Sequence, residues 1–361
     1  MAKLLKDLYN KEYLDIVICE IQKVYKEFDD KSFLSSIFDK SWKEKELKQR
    51  MRHISTYMGL FLPFTYEKNI ELLKQVFMKI SIKYSLENII FQDFVEVYGL
   101  DDFAISMEAL EIFTEGSTSE FAIRQFILKY PQWTMAQIFK WTESNSLHVR
   151  RLASEGSRPR LPWAIALTEF KKNPKEVLKI LEILKDDESE YVRKSVANSL
   201  NDISKDNPII VKKLAKEWLH VEPKRKALLK HGCRTLLKAG DIEVLELFGF
   251  TKPDALHVDS FECSSEVKKE SNLEFSFIIK SDKDFGKLRL EYKINFLRAN
   301  GTYGFKVFKI SEFSSTCREK KINKKHSFKT ISTRKYYYGL QKISIIINGV
   351  IFKSKQFILK E

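Results

Sequence analysis

From Leu4 to about Phe250 the apolar residues recur at three- and four-residue spacing. Ile70, Leu72, Leu73, Val76, Phe77 and Ile80 form one such run, and Val177, Leu178, Ile180, Leu181 and Leu184 another. That spacing places an apolar stripe along one side of a helix. Turn signals at Asn173-Pro174, Asp206-Asn207-Pro208 and Ala239-Gly240 divide the region into many short helices. After about Pro253 the period changes to two. Leu273, Phe275, Phe277 and Ile279 alternate with other positions, and Leu288, Leu290, Tyr292 and Ile294 alternate with Arg289, Glu291, Lys293 and Asn295. Asn300-Gly301 and Asn348-Gly349 lie between such runs, as type I′ hairpin turns require. The pattern predicts two architectures, an all-α domain over residues 1–254 and an all-β sandwich of about seven strands, immunoglobulin-like, over 255–361.

The helical part echoes itself. HVRRLASEGSR from His148 and YVRKSVANSLN from Tyr191 share Val-Arg, a second basic residue and then small or apolar positions. Shorter echoes occur at Ile123-Arg124 and in KHGCRTLL. A period near 40 residues suggests HEAT-like pairs that bury their apolar faces only by stacking on neighbours. Basic residues at equivalent positions would then form a ladder suited to a phosphate backbone.

Composition alters this picture little. An apolar content of 43% with 31% charged residues is that of an ordinary globular protein. No stretch of about 18 uncharged apolar residues occurs, so neither signal peptide nor membrane span is indicated and the expected location is the cytoplasm. The four cysteines and six histidines form no cluster at metal-ligand spacing. We expect reduced, mostly buried thiols, and no metal or other cofactor. His148 is expected to cap or pack.

Charge matters through its distribution. The net +14 suggests a polyanionic partner. Residues 257–361 hold 18 lysines and 4 arginines against 11 acids, a net +11, which leaves +3 for the first 256. Within REKKINKKHSFKTISTRK (318–335), Arg318, Lys320, Lys321, Arg334 and Lys335 are candidate phosphate contacts. A lysine-protected strand edge explains the same residues. RKYYYG at 334–339 is a candidate tyrosine corner.

The chemistry concentrates in HVRRLASEGSRPRLPW (148–163), where Arg150, Arg151, Arg158 and Arg160 surround one acid, Glu155. Guanidinium forks suit phosphate, and surface salt bridges are the plainer alternative. With only one acid nearby in sequence, four cations are poorly matched by that alternative. Glu155 itself would repel phosphate, so binding gains nothing from it. A reaction that develops positive charge on a sugar would, because a carboxylate stabilises that charge and orients water. Gly156 is expected to let the chain turn after Glu155, and Pro159 and Pro162 to stiffen the loop that delivers Trp163. An aromatic face attracts cations, although a lone Trp after a proline is core packing more often than not. In GSTSEFAIRQFI, Thr118 or Ser119 is a candidate helix N-cap and Glu120 would lie in the first turn, as a dipole-stabilising acid or as a second catalytic carboxylate.

These motifs, VRRLASEGSRPRLPW, YVRKSVANSLNDISKDNP, SEFAIRQFI and HGCRTLLKAG, in this order before a sandwich, resemble the AlkC type of the DNA alkylation repair family of DNA glycosylases, in the subgroup with an immunoglobulin-like C-terminal domain. The resemblance runs from about Arg52 through ISTRKYYYG, where Tyr338 stands in place of an expected proline. It implies monofunctional hydrolysis of the N-glycosidic bond of cationic N-alkylated bases in duplex DNA, chiefly 3-methyladenine. Such a base leaves readily, so no general acid is needed. The resemblance further implies that the lesion is not flipped into a deep pocket. It assigns Glu120 and Glu155 to oxocarbenium stabilisation and water positioning, and Trp163 to packing on the lesion nucleotide. Arg124, Arg150, Arg151, Arg158, Arg160, Arg193 and Lys194 are the expected phosphate contacts of the helical part, in a protein expected to be monomeric. A non-catalytic helical-repeat scaffold that binds DNA or a protein is the competing reading.

Overall fold

The computed structural model describes residues 4–222, 225–331 and 334–361. The described chain forms helices up to Leu247 and strands from Leu256 onward. It divides into two compact units, Met1–Asn207 and Pro208–Glu361. The change of period near residue 254 marks where helix gives way to strand, whereas the compact units part after Asn207. The reason lies in the second unit, where the last helices pack on the sandwich.

In the first unit the helix Leu47–Phe61 packs on Ile89–Tyr98, and Leu147–Gly156 packs on Glu190–Ile203. Their apolar stripes are buried, as Ile54, Met58, Val149, Leu152, Val192, Val196 and Leu200 illustrate. The last pair carries the sequence echo, and its repeated arginine does the same work twice. Arg150 donates to the carbonyls of Ser144 and Asn145 at 2.9 and 3.1 Å. Arg193 donates to those of Asp187 and Glu188 at 2.5 and 2.9 Å. Each ties down the loop that leads into its own helix. His148 meets Tyr191, its counterpart in the echo, edge to face at 6.0 Å, a packing role as expected.

In the second unit the helices between Pro208 and Leu247 precede eight strands: β1 (Leu256–Cys263), β2 (Glu266–Lys268), β3 (Asn272–Ser281), β4 (Gly286–Leu297), β5 (Tyr303–Ser315), β6 (Glu319–Ser327), β7 (Gly339–Ile347) and β8 (Val350–Lys360). They form two sheets, ordered β1-β3-β6 and β2-β8-β7-β4-β5. Between the sheets lie Leu273, Phe277, Ile279, Leu290, Ile294, Ile343 and Ile345, the inward positions of the period-two runs. Asn348 and Gly349 have φ of 44° and 81°, as a type I′ turn demands. At the other predicted hairpin only Gly301 is left-handed, because the turn there starts earlier and closes through Arg298 and Thr302. Gly349 is also needed for contact: a Cβ on it would stand 2.6 Å from Leu245 and 2.9 Å from the Gly240 backbone. The helix-borne Lys230 pairs with Glu312 of β5 in the same unit.

The start of β7 is held by a phenol, but from elsewhere than expected. Tyr303 donates to the Leu340 carbonyl at 3.1 Å, and Gln341 bonds Tyr337 and Leu297. All four cysteines are unpaired; Cys19 and Cys317 are exposed, against the expectation of mostly buried thiols. No described helix is long and apolar enough to cross a membrane.

Candidate active site

The helix Leu147–Gly156 begins at Ser146, whose hydroxyl accepts from the amides of His148 and Val149, an ordinary N-cap. It carries Arg150, Arg151 and Glu155, and Arg158 and Arg160 follow its end. Gly156 is its last residue and makes no turn of its own. Its small size serves contact instead, since a Cβ there would lie 2.7 Å from Ile123 Cγ2. Thr118 and Ser119 do not cap as expected. Ser119 Oγ donates to the Leu110 carbonyl at 2.6 Å. Glu120 sits in the turn just before the helix Ile123–Lys129.

Two carboxylates from these segments meet on one guanidinium. Arg151 Nη1 lies 2.5 Å from Glu120 Oε2, and its Nη2 lies 3.6 Å from Glu155 Oε1. Thr118 Oγ1 donates to Glu120 Oε2 at 2.8 Å and accepts from Arg151 at 2.9 Å. The Tyr191 ring lies beneath the same guanidinium, 5.2 Å away. Glu155 is held on both oxygens, Oε1 by Arg158 and Oε2 by Ser195 Oγ at 2.6 Å. Arg158 in turn reaches Asp202 through Nε at 2.8 Å and Nη2 at 2.7 Å. Burial of Arg158 opposes its charge, but Glu155 and Asp202 together keep its pKa above the ordinary value. Ser195 and Asp202 belong to the second echo helix. Their short side chains carry no spacing signal, so sequence reasoning did not find them.

The premise that four arginines face one acid does not survive folding. Arg150 pairs with Asp187 at 2.6 Å, Arg151 with Glu120, Arg158 with Glu155 and Asp202, and Arg160 with both oxygens of Asp206 at 2.6 and 2.8 Å. Apart from Glu155, their acids come from other helices and loops, distant in sequence. Two of the expected phosphate contacts are thereby corrected: Arg124 and Arg158 are buried, at 0% and 5% exposure. Arg124 donates to the carbonyls of Gly156, Arg158 and Ile165 at 2.5 to 3.0 Å. Burial, then the charge of Arg158, pushes its pKa down to about 10. Arg150 and Arg193 spend donors on loop carbonyls. Lys194 is exposed.

In the sandwich, Arg318, Lys320, Lys321 and Lys335 are exposed, and Arg334 lies 4.2 Å over the Phe296 ring. Among the described residues strand β6 pairs only with β3. Its lysines therefore guard a sheet edge, whatever else they touch.

Trp163 departs from the core-packing alternative. It is 62% exposed, and its φ of 62° lies in the left-handed region that bulky side chains avoid. Such a conformation costs about 1–3 kcal/mol and persists only where surroundings over-determine it. Its carbonyl accepts from Lys48 Nζ at 2.9 Å. Among the described residues no group of three or more His, Cys, Asp or Glu is placed to hold a metal ion.

A family model described as "DNA alkylation repair enzyme" matches residues 117–236, and one described as "Uncharacterised protein YhaZ, C-terminal Ig-like domain" matches 257–361. The uncharacterized protein YhaZ of Bacillus subtilis (strain 168) is 42% identical over 98% of both chains. The solved structure of Pseudomonas fluorescens alkylpurine DNA glycosylase AlkC, bound to DNA containing an abasic site analog, superposes with a TM-score of 0.93 at 34% identity. That match covers 99% of this chain and 100% of the other.

Proposed function

Because the chain belongs to the AlkC-type DNA glycosylases of the DNA alkylation repair family, in the subgroup with a C-terminal immunoglobulin-like domain, we propose that it hydrolyses the N-glycosidic bond of cationic N-alkylated bases in duplex DNA, chiefly 3-methyladenine. The observation that carries this reading is the pair of carboxylates joined through Arg151. An N3-alkylated adenine carries its positive charge into the leaving step. Departure of the neutral base transfers that charge to the sugar as an oxocarbenium ion, so a fixed anion lowers the barrier and no proton donor is required.

The hydrogen bonds divide the work. Glu155, bonded on both oxygens, is a preorganised charge of fixed orientation. Glu120 has Oε2 engaged by Thr118 and Arg151, and among the described residues Oε1 accepts no bond. Oε1 of Glu120 is therefore the water-positioning atom, and attack of that water at C1′ leaves an abasic site. Arg151 keeps two anions together that would otherwise repel. Trp163, exposed on its loop, packs against the lesion nucleotide from outside, consistent with a reaction in which the base is not flipped. The partner is duplex DNA in the cytoplasm, and the protein acts as a monomer.

The test is chromatography of bases released from methylated duplex DNA, with alkaline cleavage at the resulting abasic sites. We expect 3-methyladenine release, reduced at least about a hundredfold by Glu120→Gln or Glu155→Gln, the scale of removing one transition-state interaction. No release leaves the non-catalytic scaffold standing, and release undiminished in the double variant removes the two carboxylates from the mechanism.

A further inference from the structure

We propose that Lys48 is a positioning residue for Trp163, holding the left-handed Trp163 backbone so that the indole faces the lesion. The inference rests on the glycosylase reading only for its kinetic consequence. Trp163 is the residue of its loop whose backbone is least tolerable to an L side chain. Two internal bonds brace the loop behind it, Ala164 to Leu161 at 3.3 Å and Leu167 to Pro159 at 3.1 Å. Arg124 anchors it at the Ile165 carbonyl. The first of these bonds closes a turn around Trp163 and braces its peptide from within. Lys48 reaches the carbonyl of that same peptide from a second element, the helix Leu47–Phe61, far away in sequence.

The ammonium is placed by more than this bond. It lies 4.7 Å over the Phe121 ring, and Phe121 follows Glu120. It is also within electrostatic reach of Asp93 and Glu96, whose carboxyl pKa values are raised by burial and drawn back down by Arg52 and Lys48. One cation thus joins the turn that presents Glu120 to the loop that presents Trp163. The turn bond from Ala164 to Leu161 admits the positive φ of Trp163, and the Lys48 bond adds a donor from outside the loop that fixes where its carbonyl points. An arginine at position 48 can supply the same N–H, whereas methionine fills similar space and supplies none.

The experiment uses the full chain labelled with 5-fluorotryptophan. Among its five tryptophans, Trp163 is assigned by the ¹⁹F resonance that disappears in Trp163→Phe. Lys48→Met should shift or broaden that resonance and leave the other four in place. Single-turnover release of 3-methyladenine should slow by about tenfold, the weight of one oriented interaction, with duplex affinity kept within about twofold and Lys48→Arg restoring most of the rate. In a Trp163→Ala background Lys48→Met should cost no more than about twofold, the signature of residues acting as a unit. An unmoved resonance overturns the proposal. So does an equal cost in both backgrounds, or weakened affinity with a salt slope smaller by about 0.9, which would make Lys48 a phosphate contact. Absence of base release by the wild-type protein sinks the glycosylase reading alone, and the ¹⁹F spectra still decide whether Lys48 holds Trp163.

Discussion

A guanidinium taken wholly out of water persists only when its donors are met, and Arg124 meets them with the carbonyl of Gly156 at its helix end and those of Arg158 and Ile165 beyond it. It closes the chain after the Leu147–Gly156 helix, which carries Glu155, and it anchors the loop of Trp163. Replacing it by methionine leaves those carbonyls buried and unpaired, at about 1–3 kcal/mol each. We expect Arg124→Met to lower the urea midpoint by an amount equivalent to at least 3 kcal/mol, about the lower bound of that sum. The salt slope of DNA binding by the folded protein should not change, and an unchanged midpoint would contradict the structural role. The same logic separates the neighbouring arginines. Arg151 faces the carboxylates proposed to react, whereas Arg158 and Asp202 stand behind Glu155 and fix its orientation.

At the scale of elements, the two echo helices show how a repeat preserves architecture and lets chemistry diverge. Arg150 and Arg193 perform one loop-tying task in both, while Glu155 has no acidic counterpart in YVRKSVANSLN. The partner helix supplies Ser195 to hold Glu155 instead. In the sandwich, β6 places His326 among Phe296, Phe308, Phe328 and Tyr292. Its Nδ1 lies 2.9 Å from the Tyr292 hydroxyl, and among the described residues its Nε2 has no partner. Burial, followed by the charges of Arg334 and Lys306, pushes its pKa down to about 4. The unfolded chain takes up that proton near pH 6.5, before the folded one, so acidification between about pH 6.5 and 4 draws the protein toward unfolding. The loss is up to about 3 kcal/mol, read as a fall in Tm across that window. A Tyr292→Phe, His326→Leu double variant should flatten that part of the profile. A fall of equal size in the double variant would assign the acid sensitivity to other groups.

For the whole molecule, the net +11 of residues 257–361 sets the expectation that the sandwich supplies phosphate contacts. Deleting these residues is a poor test, because the helices after Pro208 belong to the same compact unit and rest on the sandwich. Neutralising Arg318, Lys320, Lys321 and Lys335 with glutamine leaves that packing intact. If they bind DNA, the slope of log K against log salt should fall by about 0.9 for each phosphate no longer neutralised. An unchanged slope would mean that they only protect the β6 edge. The two architectures were legible in the sequence because helix and strand impose different apolar periods, and burial holds each residue to its period. So were the type I′ turn at Asn348-Gly349 and the motifs that carry Glu120, Glu155 and Trp163. Which charges meet was not legible. Asp187, Asp202 and Asp206 come within reach of the arginines only when separate helices pack, and so turn an apparent excess of cations into a set of pairs. The exposure and left-handed backbone of Trp163, and the Lys48 that holds its carbonyl, were decided the same way, since local spacing records a chain's own periodicity and only packing brings together residues far apart along it.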